Sequence, residues 1–420
     1  MLNKNQFLLL QIIIFIAFVG MTLPYPIIAP LFLSSHVTKA ANYFLSAMSY
    51  KTQVTLVLGA YPLGLFIGAI LLGQLSDTYG KRITLLFGLF FSSCTQLISG
   101  YLIIHKFYDG LLITRFISGL FEGNIAIARA AFALICTNEA SKRKHFGRTN
   151  AALTLGWAVG PLLGYFFSDS KIFSFFKYST PFYISGVLTL SLFTLTFFKF
   201  KEPQKTATIN FVKNNSEKLA KSLFEKKLLI LFLCSLFITL GVDAFYQFLP
   251  IFLATQFTYS SLIISISISI VAISNTVTNI ILIPIVGKFI TTVDSLILFP
   301  LLLGLCLLII GTNKYQFSIF FILPFIGASI ALTMTNMTVL VSTNSSQLIQ
   351  GKLMGLLLSQ RTLGTALISF SMIPLVNYNY KAPFIAGGLL LLTSVAIMVL
   401  LNKKKNLFTL MLPFKRRFFY

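Results

Sequence analysis

Long apolar runs divide the chain into regular segments that alternate with short polar loops. A transmembrane helix needs about 20 mostly apolar residues to cross a hydrocarbon layer of about 30 Å. Runs of that length occur six times before a polar, lysine-rich segment and six times after it. They cover residues 7–33, 53–75, 83–104, 110–136, 148–168, 180–199, 228–254, 261–286, 293–312, 316–341, 353–376 and 382–402. The pattern predicts an all-α polytopic membrane protein with twelve transmembrane helices.

Composition supports lipid as the solvent for most of the chain. Of its 420 residues, 56% are hydrophobic and 10% are charged, whereas soluble domains carry about 25% charged residues. We expect two pseudo-symmetric six-helix bundles, 1–200 and 228–402, joined by a cytoplasmic linker, 201–227, and followed by a basic cytoplasmic tail, 403–420. Paired bundles around a central cavity are a common plan of transporters.

Basic residues predict the orientation of the helices, because short cytoplasmic loops carry an excess of Lys and Arg. If the N-terminus is cytoplasmic, 23 of the 33 Lys and Arg residues lie in cytoplasmic segments. We therefore expect both termini in the cytoplasm and the chain in the cell inner membrane. The formal charge of +23 is spread over these short loops, so nucleic acid is not an expected partner.

The loop after the second apolar run carries a dense motif. It reads Gly73-Gln-Leu-Ser-Asp77-Thr-Tyr-Gly80-Lys81-Arg82. The two glycines permit a tight turn, and one acid stands among cations. We expect Asp77 to accept hydrogen bonds from the N-terminus of a neighbouring helix, where negative charge is favoured, and so to hold one conformational state. The alternative is a capped turn that only carries positive-inside residues.

This loop resembles the hallmark motif that follows the second helix in the major facilitator superfamily. A segment of the fourth run, Arg115-Phe-Ile-Ser-Gly119, is similar to the R-x-x-x-G segment of that family. The resemblance covers the whole chain in helix number, central linker and internal repeat. It implies the twelve-helix fold of the family, transport by alternating access, and a monomer that uses no cofactor.

The fifth run contains a glycine motif, Gly156-Trp-Ala-Val-Gly160-Pro161-Leu-Leu-Gly164. Glycines at every fourth position give a smooth helix face for a close neighbour, and Pro161 favours a kink. The motif resembles the glycine–proline motif of the antiporter branch, which includes many drug exporters, although Tyr165 stands at the family's final glycine. The resemblance implies a seal between the two halves. Ordinary helix packing is the alternative.

Charged residues inside predicted spans need a reason, because an ionised side chain at the bilayer centre costs at least about 2.5–3.5 kcal/mol. Arg115, Glu122 and Arg129 in the fourth run are seven residues apart and share one face of a continuous helix. Arg115 is expected to bind an anionic group or to act on a proton site. Glu122, between two cations, is interpreted as a charge partner, with proton carrier as the alternative.

The seventh run presents Asp243, Tyr246 and Gln247 on one face. No cation lies near Asp243 in sequence to hold it ionised, so we expect it to carry the coupled proton, with Tyr246 and Gln247 contacting substrate. An ion pair with Arg115 is the alternative. Arg361 in the eleventh run is interpreted as a gate residue or as a side chain that extends to the membrane surface.

Three asparagines also fall inside predicted spans. Asn275 and Asn279 lie in the eighth run and Asn336 lies in the tenth. Their amides are polar enough to line a cavity. Hydrogen bonding between helices explains them equally well.

No phosphate-binding loop, nucleophile–base arrangement or metal cluster occurs in the sequence, so we expect neither an enzyme nor direct ATP drive. The leading hypothesis is a secondary transporter that uses the proton gradient to export a small organic molecule. Its partners are then that substrate, protons and the lipid bilayer. The alternatives are a nutrient or metabolite importer of the same fold, by symport or uniport, and a sensor or scaffold that transports nothing.

Overall fold

Every regular element in the described part of the computed structural model is a helix. The described residues are 4–24, 27–28, 31–32, 42–48, 50–136, 138–168, 170, 172–202, 226–259, 261–312, 318–344, 349–371, 379 and 381–409. Apart from one-turn segments, the helices are α1 (Lys4–Thr22), α2 (Tyr50–Tyr79), α3 (Lys81–Ile104), α4a (Tyr108–Phe121), α4b (Asn124–Ile135), α5 (Glu139–Ser168), α6 (Thr180–Lys199), α7 (Lys226–Gln256), α8a (Ser261–Val277), α8b (Ile283–Phe289), α9 (Thr292–Thr312), α10 (Ser318–Thr343), α11 (Gln350–Ser371) and α12 (Ala382–Thr409).

Ten of the described helical segments are long and apolar enough to cross a membrane. The apolar part of α1 is shorter, Gln6–Thr22. Helix α11 is continuous, but its apolar sequence is interrupted by Gln360 and Arg361 near its centre. Both helices nevertheless stand where the first and eleventh spans were predicted. Helix α5 begins earlier than predicted, at Glu139, because its first turns are charged and apolarity does not detect helix outside the lipid.

The two halves, α1–α6 and α7–α12, repeat the same neighbour relations. Helix α2 packs on α4a as α8a packs on α10, α3 packs on α6 as α9 packs on α12, and α1 packs on α5 as α7 packs on α11. This repetition agrees with the predicted pair of pseudo-symmetric bundles. Residues 203–225 of the predicted linker and 410–420 of the predicted tail lie outside the described residues, so the domain limits stay a prediction.

Contacts between the halves run along two seams. Helix α11 packs against α2 and α4b, and α5 packs against α8a and α10. One hydrophobic core continues across both seams and includes Leu72 of α2, Phe146 of α5 and Leu353 of α11. The halves are therefore in contact through packed side chains and not through loops alone.

Helix α4 is interrupted at Glu122 and Gly123, which differs from the continuous fourth span that the sequence predicts. Glycines let the α2 backbone lie directly against this point. A Cβ at Gly123 would overlap the carbonyl oxygen of Gly68, and a Cβ at Gly68 would overlap that of Leu120. Because the helix turns here, the residues before and after Glu122 no longer share one regular face.

Candidate transport site

Asp77 joins the two halves at the membrane side where α2 ends and α3 begins, which we call the motif side. Its carboxylate accepts backbone N–H groups of Gly351 (2.8 Å) and Lys352 (2.7 Å) in the first turn of α11. The Lys81 ammonium forms an ion pair with Asp77 and donates to Ser76 Oγ at 2.9 Å. A carboxylate in this position satisfies N–H groups that have no partner within their helix and complements the helix dipole. This is the contact that a conformational latch requires.

Glycines bring α2 and α11 into backbone contact beside this latch. A Cβ at Gly73 would lie 2.5 Å from the carbonyl oxygen of Gly351, and a Cβ at Gly355 would overlap the carbonyl oxygen of Ala69. Farther along α11, Ser359 Oγ donates to a carbonyl oxygen of α2 at 2.6 Å. The motif side is therefore closed along this seam, with no room for even a methyl group at the glycines.

The turn between α2 and α3 is held by an acid that sequence reasoning missed. Gly80 has a φ of 102°, which favours glycine, and Glu202 lies directly over it. The Glu202 carboxylate accepts the backbone N–H groups of Lys81 and Arg82, each at 2.7 Å. Arg82 in turn donates to the carbonyl oxygen of Phe197 at 2.6 Å. The motif loop is thus capped from the end of α6.

A second seam contact on the motif side comes from basic residues at the start of α5. Arg143 donates to the carbonyl oxygen of Ile290 (2.9 Å) and to Thr292 Oγ1, and it pairs with Glu139 of its own helix at 2.8 Å. Lys142 donates to a carbonyl oxygen at the end of α10 at 3.2 Å. The sequence pattern identified these residues only as part of the excess of Lys and Arg expected in cytoplasmic loops. They bind the C-terminal half.

Arg115 and Glu122 lie in one buried cluster within the N-terminal half. The Arg115 guanidinium stacks on the Tyr61 ring, 4.5 Å from its centroid, and donates to the carbonyl oxygen of Met21 at 3.4 Å. Glu122 accepts a hydrogen bond from Ser92 Oγ at 2.6 Å. Among the described residues Glu122 has no cation within ion-pair distance, which differs from the predicted position between two cations.

Arg129 belongs to a different environment, a chain of polar side chains that crosses from α4b to the C-terminal half. Its guanidinium donates to Asn150 Oδ1 at 3.1 Å. Asn150 donates to Thr335 Oγ1 at 2.7 Å, and Thr335 donates to Asn279 Oδ1 at 2.8 Å. Asn279 then donates to Asn275 Oδ1 at 2.8 Å. The asparagines of α8 therefore serve hydrogen bonding between helices.

The polar chain meets α8 where its helix is distorted. Residues Thr278–Leu282 form a π-helical turn, a feature that is frequent at functional sites. Gly147 of α5 lies against this turn, since a Cβ there would stand 2.6 Å from the carbonyl oxygen of Asn279. Thr154 Oγ1 donates to Asn275 Oδ1 at 3.1 Å. The second seam thus combines close backbone approach with side-chain hydrogen bonds.

Asp243 lies between α7 and α11. Its carboxylate accepts a hydrogen bond from Thr365 Oγ1 at 2.8 Å, and Gln247 donates to the Thr365 carbonyl oxygen at 3.0 Å. Tyr246 lies close enough to Asp243 for the two side chains to interact electrostatically. Of the three α7 residues that the sequence placed on one face, Asp243 and Gln247 therefore both bond to Thr365 of α11, and Tyr246 lies beside Asp243.

Arg361 is directed into the protein. Its guanidinium donates to Thr338 Oγ1 at 3.1 Å and to the carbonyl oxygen of Met334 at 3.4 Å, both on α10. Its charge acts on Asp243 and on Arg129. The charged neighbour of Asp243 among the described residues is thus Arg361 and not Arg115, the partner that the sequence suggested.

The glycine motif of α5 faces α1 of the same half. A Cβ at Gly156 would stand 2.6 Å from a carbonyl oxygen of α1, and a Cβ at Gly160 would overlap the Thr22 hydroxyl. Gly164 is buried and Pro161 is half-buried in the same helix. The expected position between the two halves is therefore not observed for Gly156 and Gly160, because small residues alone do not specify which neighbour uses their face.

Two repeated helical halves, closed against each other on one side and enclosing buried charges, define a membrane transporter built from an internal repeat. A family comparison makes this specific. The model of the Major Facilitator Superfamily matches residues 10–369. The chain belongs to the Major Facilitator Superfamily and is a multi-pass membrane transporter, not an enzyme.

Curated relatives include two drug-resistance proteins. The chain is 24% identical over 271 residues to multidrug resistance protein 1 of Bacillus subtilis. It is 25% identical over 268 residues to the quinolone resistance protein NorA of Staphylococcus aureus. The alignments cover 64% of this chain and 64% and 63% of the two relatives, so the chain spans less than two thirds of their lengths.

Solved structures show the fold over nearly the whole chain. The human organic anion transporter MFSD10 (TETRAN) superposes with a TM-score of 0.75 at 18% identity, over 94% of this chain and 99% of that one. The proton:xylose symporter XylE superposes with a TM-score of 0.73 at 15% identity, over 94% and 96%. These likenesses confirm the predicted fold and carry no information on substrate.

Proposed function

We propose that this protein exports a small organic molecule in exchange for protons by alternating access. The observation that carries the proposal is the environment of Asp243. This carboxylate lies among membrane helices, is held by the neutral hydroxyl of Thr365 at 2.8 Å, and has no cation within ion-pair distance among the described residues. A carboxylate in such a place can be neutralised by a proton without breaking an ion pair.

The other buried charges have supporting roles in this proposal. Glu122, bonded to Ser92, is a second group that can take up a proton, with Arg115 beside it. Asp77, with Gly73, Gly80, Lys81 and Arg82 around it, controls the change of state. Release of the α11 N-terminus from the carboxylate is required before the motif side can open.

Export as the direction rests on similarity. The relatives from Bacillus subtilis and Staphylococcus aureus are named for multidrug and quinolone resistance, and the α5 motif resembles that of exporters. We place the motif side and both termini in the cytoplasm, in a cell inner membrane, because 23 of the 33 Lys and Arg residues fall on that side. We expect a monomer, as the family resemblance implies.

Flux in inside-out membrane vesicles tests the proposal. A substrate is first found by screening drugs, fluorescent quinolones included, in a strain that lacks its own exporters. We expect an imposed pH gradient to drive accumulation in parent vesicles and in Asp294→Asn vesicles, since Asp294 is an exposed carboxylate at the start of α9. Asp243→Asn vesicles should lose the dependence on the gradient. Gradient-independent flux in the parent, or full gradient dependence in Asp243→Asn, would refute proton coupling.

An importer is the second candidate, because the same carboxylate can serve a proton symporter. XylE, a proton:xylose symporter, has nearly the same TM-score as the other structural relatives. The direction of accumulation separates the two. Import is indicated if radiolabelled substrate accumulates in intact cells that express the protein and is released by a protonophore. Export is indicated if expressing cells hold less substrate than cells without the protein, and if a protonophore raises that level.

A further inference from the structure

Two buried or half-buried arginines stand on opposite sides of the seam between the halves. Arg129 stands on α4b and Arg361 on α11, and these helices are in direct contact. Arg129 is 1% exposed and Arg361 is half-buried. Their guanidinium groups are close enough for the charges to act on each other. Two like charges thus lie at an interface that is closed in this structure.

The partners of both guanidinium groups are neutral. Arg129 donates to the amide oxygen of Asn150 at 3.1 Å, and Arg361 donates to Thr338 Oγ1 at 3.1 Å. The Nε atom of each is buried without a hydrogen-bond partner in the described part of the chain. Neither arginine has a carboxylate within 4.0 Å there. A buried cation without a counter-ion is costly, and two together are more so.

Asp243 does not neutralise the pair. Its carboxylate acts on Arg361 from a distance but is bonded to Thr365. When Asp243 takes up a proton, as the proposed function requires, the pair has no negative neighbour at all among the described residues of α4b, α7, α10 and α11. Thr365, which lies one turn from Arg361 on α11, is exposed.

We infer that the transported molecule carries an anionic group, a carboxylate, sulfonate or phosphate, which binds at Arg361 and balances the Arg129–Arg361 pair. The inference rests on the proposed function and names its substrate class. An anion in this place removes the repulsion between α4b and α11, so its binding favours closure of the seam. Planar guanidinium groups are well suited to two-point contact with such oxyanions.

Matched naphthalene compounds test the charge requirement on the purified full chain in detergent. The probes are 2-naphthoate and naphthalene-2-sulfonate as anions, 2-naphthamide as the neutral analogue and 2-naphthylmethylammonium as the cation. Isothermal titration calorimetry measures each dissociation constant at pH 7.5. We expect the anions to bind at least about tenfold more tightly than the amide, because a hydrogen bond to a charged group contributes that much or more. Equal or tighter binding of the amide or the cation would overturn the inference.

Variants locate the site. Arg361→Gln should raise the dissociation constant of 2-naphthoate about tenfold or more, and Arg129→Gln should also raise it. Arg148→Gln, an exposed arginine near the start of α5, should leave it unchanged. If Arg361→Gln does not fold, Arg361→Lys replaces it and should retain part of the affinity. Anion binding that Arg361 variants leave intact, or that Arg115→Gln alone abolishes, would overturn the assignment.

The outcome is distinct from that of the flux experiment. Anion binding at Arg361 without gradient-driven flux would contradict proton-coupled export while supporting the anionic ligand. Gradient-driven flux of a cationic drug, together with absent anion binding, would contradict the anionic ligand while supporting export.

Discussion

Replacement of Asp77 by asparagine tests whether the motif-side contact sets the balance between the two states of the transporter. The carboxylate accepts two N–H groups of α11 and pairs with Lys81. Hydrogen bonds to charged groups contribute about 1.5–3 kcal/mol each, and the amide retains one oxygen that can accept one of the two N–H groups. We expect the closed state to lose about 2 kcal/mol relative to the open state, which lacks these contacts.

A loss of about 2 kcal/mol shifts the equilibrium roughly 30-fold, because each 1.4 kcal/mol is a factor of ten. A protein that is closed in a ratio of about 99:1 would fall to about 3:1, so the open state becomes visible in a distance distribution. Spin labels at the exposed positions Tyr79 on α2 and Phe289 on α8b span the two halves on the motif side. The four native cysteines are first replaced.

The parent should give one short distance between the labels, and Asp77→Asn should add a longer one. Asp109→Asn is the matched control, because Asp109 also accepts two backbone N–H groups, those of Phe44 and Leu45, but within the N-terminal half. It should leave the distribution unchanged. A folded Asp77→Asn protein with the parent distribution would show that glycine packing alone closes the motif side and that the latch reasoning is wrong.

Two further experiments test contacts that hold the halves and the motif loop. Glu202→Gln should lower the thermal unfolding temperature in detergent, since an N-cap contributes about 0.5–2 kcal/mol. The control Glu139→Gln removes an exposed i,i+4 ion pair and should lower that temperature less. Equal shifts for the two variants would contradict the capping role of Glu202. In a double-mutant cycle on the free energy of unfolding, Asn150→Ala and Thr335→Val should show a coupling of about 0.5–1.5 kcal/mol. The effects of Asn150→Ala and Ser359→Ala, the control pair, should be additive. Additive effects in the first pair would contradict the hydrogen bond across the seam.

Helix number and the repeat were predictable because apolarity over about 20 residues is a local signal. The same signal places the ends poorly. Helix α5 starts in charged sequence at Glu139, and α11 contains Gln360 and Arg361 near its centre. The start of α5 lies outside the lipid, where apolarity does not detect helix. Gln360 and Arg361 have partners on α7 and α10, and such partners cannot be read from a hydropathy pattern.

The contact of Asp77 with a helix N-terminus was predictable in kind, because an acid in a cationic loop has few other stable partners. Its partner helix was not, since α11 lies far along the chain. Glu202 was missed for the same reason. The available signal was its place directly after the sixth apolar run, which puts it on the same membrane side as the motif loop.

The spacing of Arg115, Glu122 and Arg129 misled the sequence reasoning about their surroundings. A period of seven predicts one face only if the helix is regular. The interruption at Gly123 separates Arg115, which stacks on Tyr61, from Arg129, which bonds to Asn150. Contact between two backbones at glycine depends on both helices, so the sequence of one helix does not report it.

The charges that close the motif side share a design that makes closure reversible. Asp77 bonds to the N–H end of α11, and Arg143 bonds to a carbonyl at the end of α8b, so each charge complements a helix end of the other half. Each also has a counter-ion four residues away on its own half, Lys81 for Asp77 and Glu139 for Arg143. When the seam opens, the helix ends pass to water but neither charge is left without its ion pair. For these two charges the cost of opening is therefore limited to their hydrogen bonds across the seam, a size that ligand and proton binding can overcome.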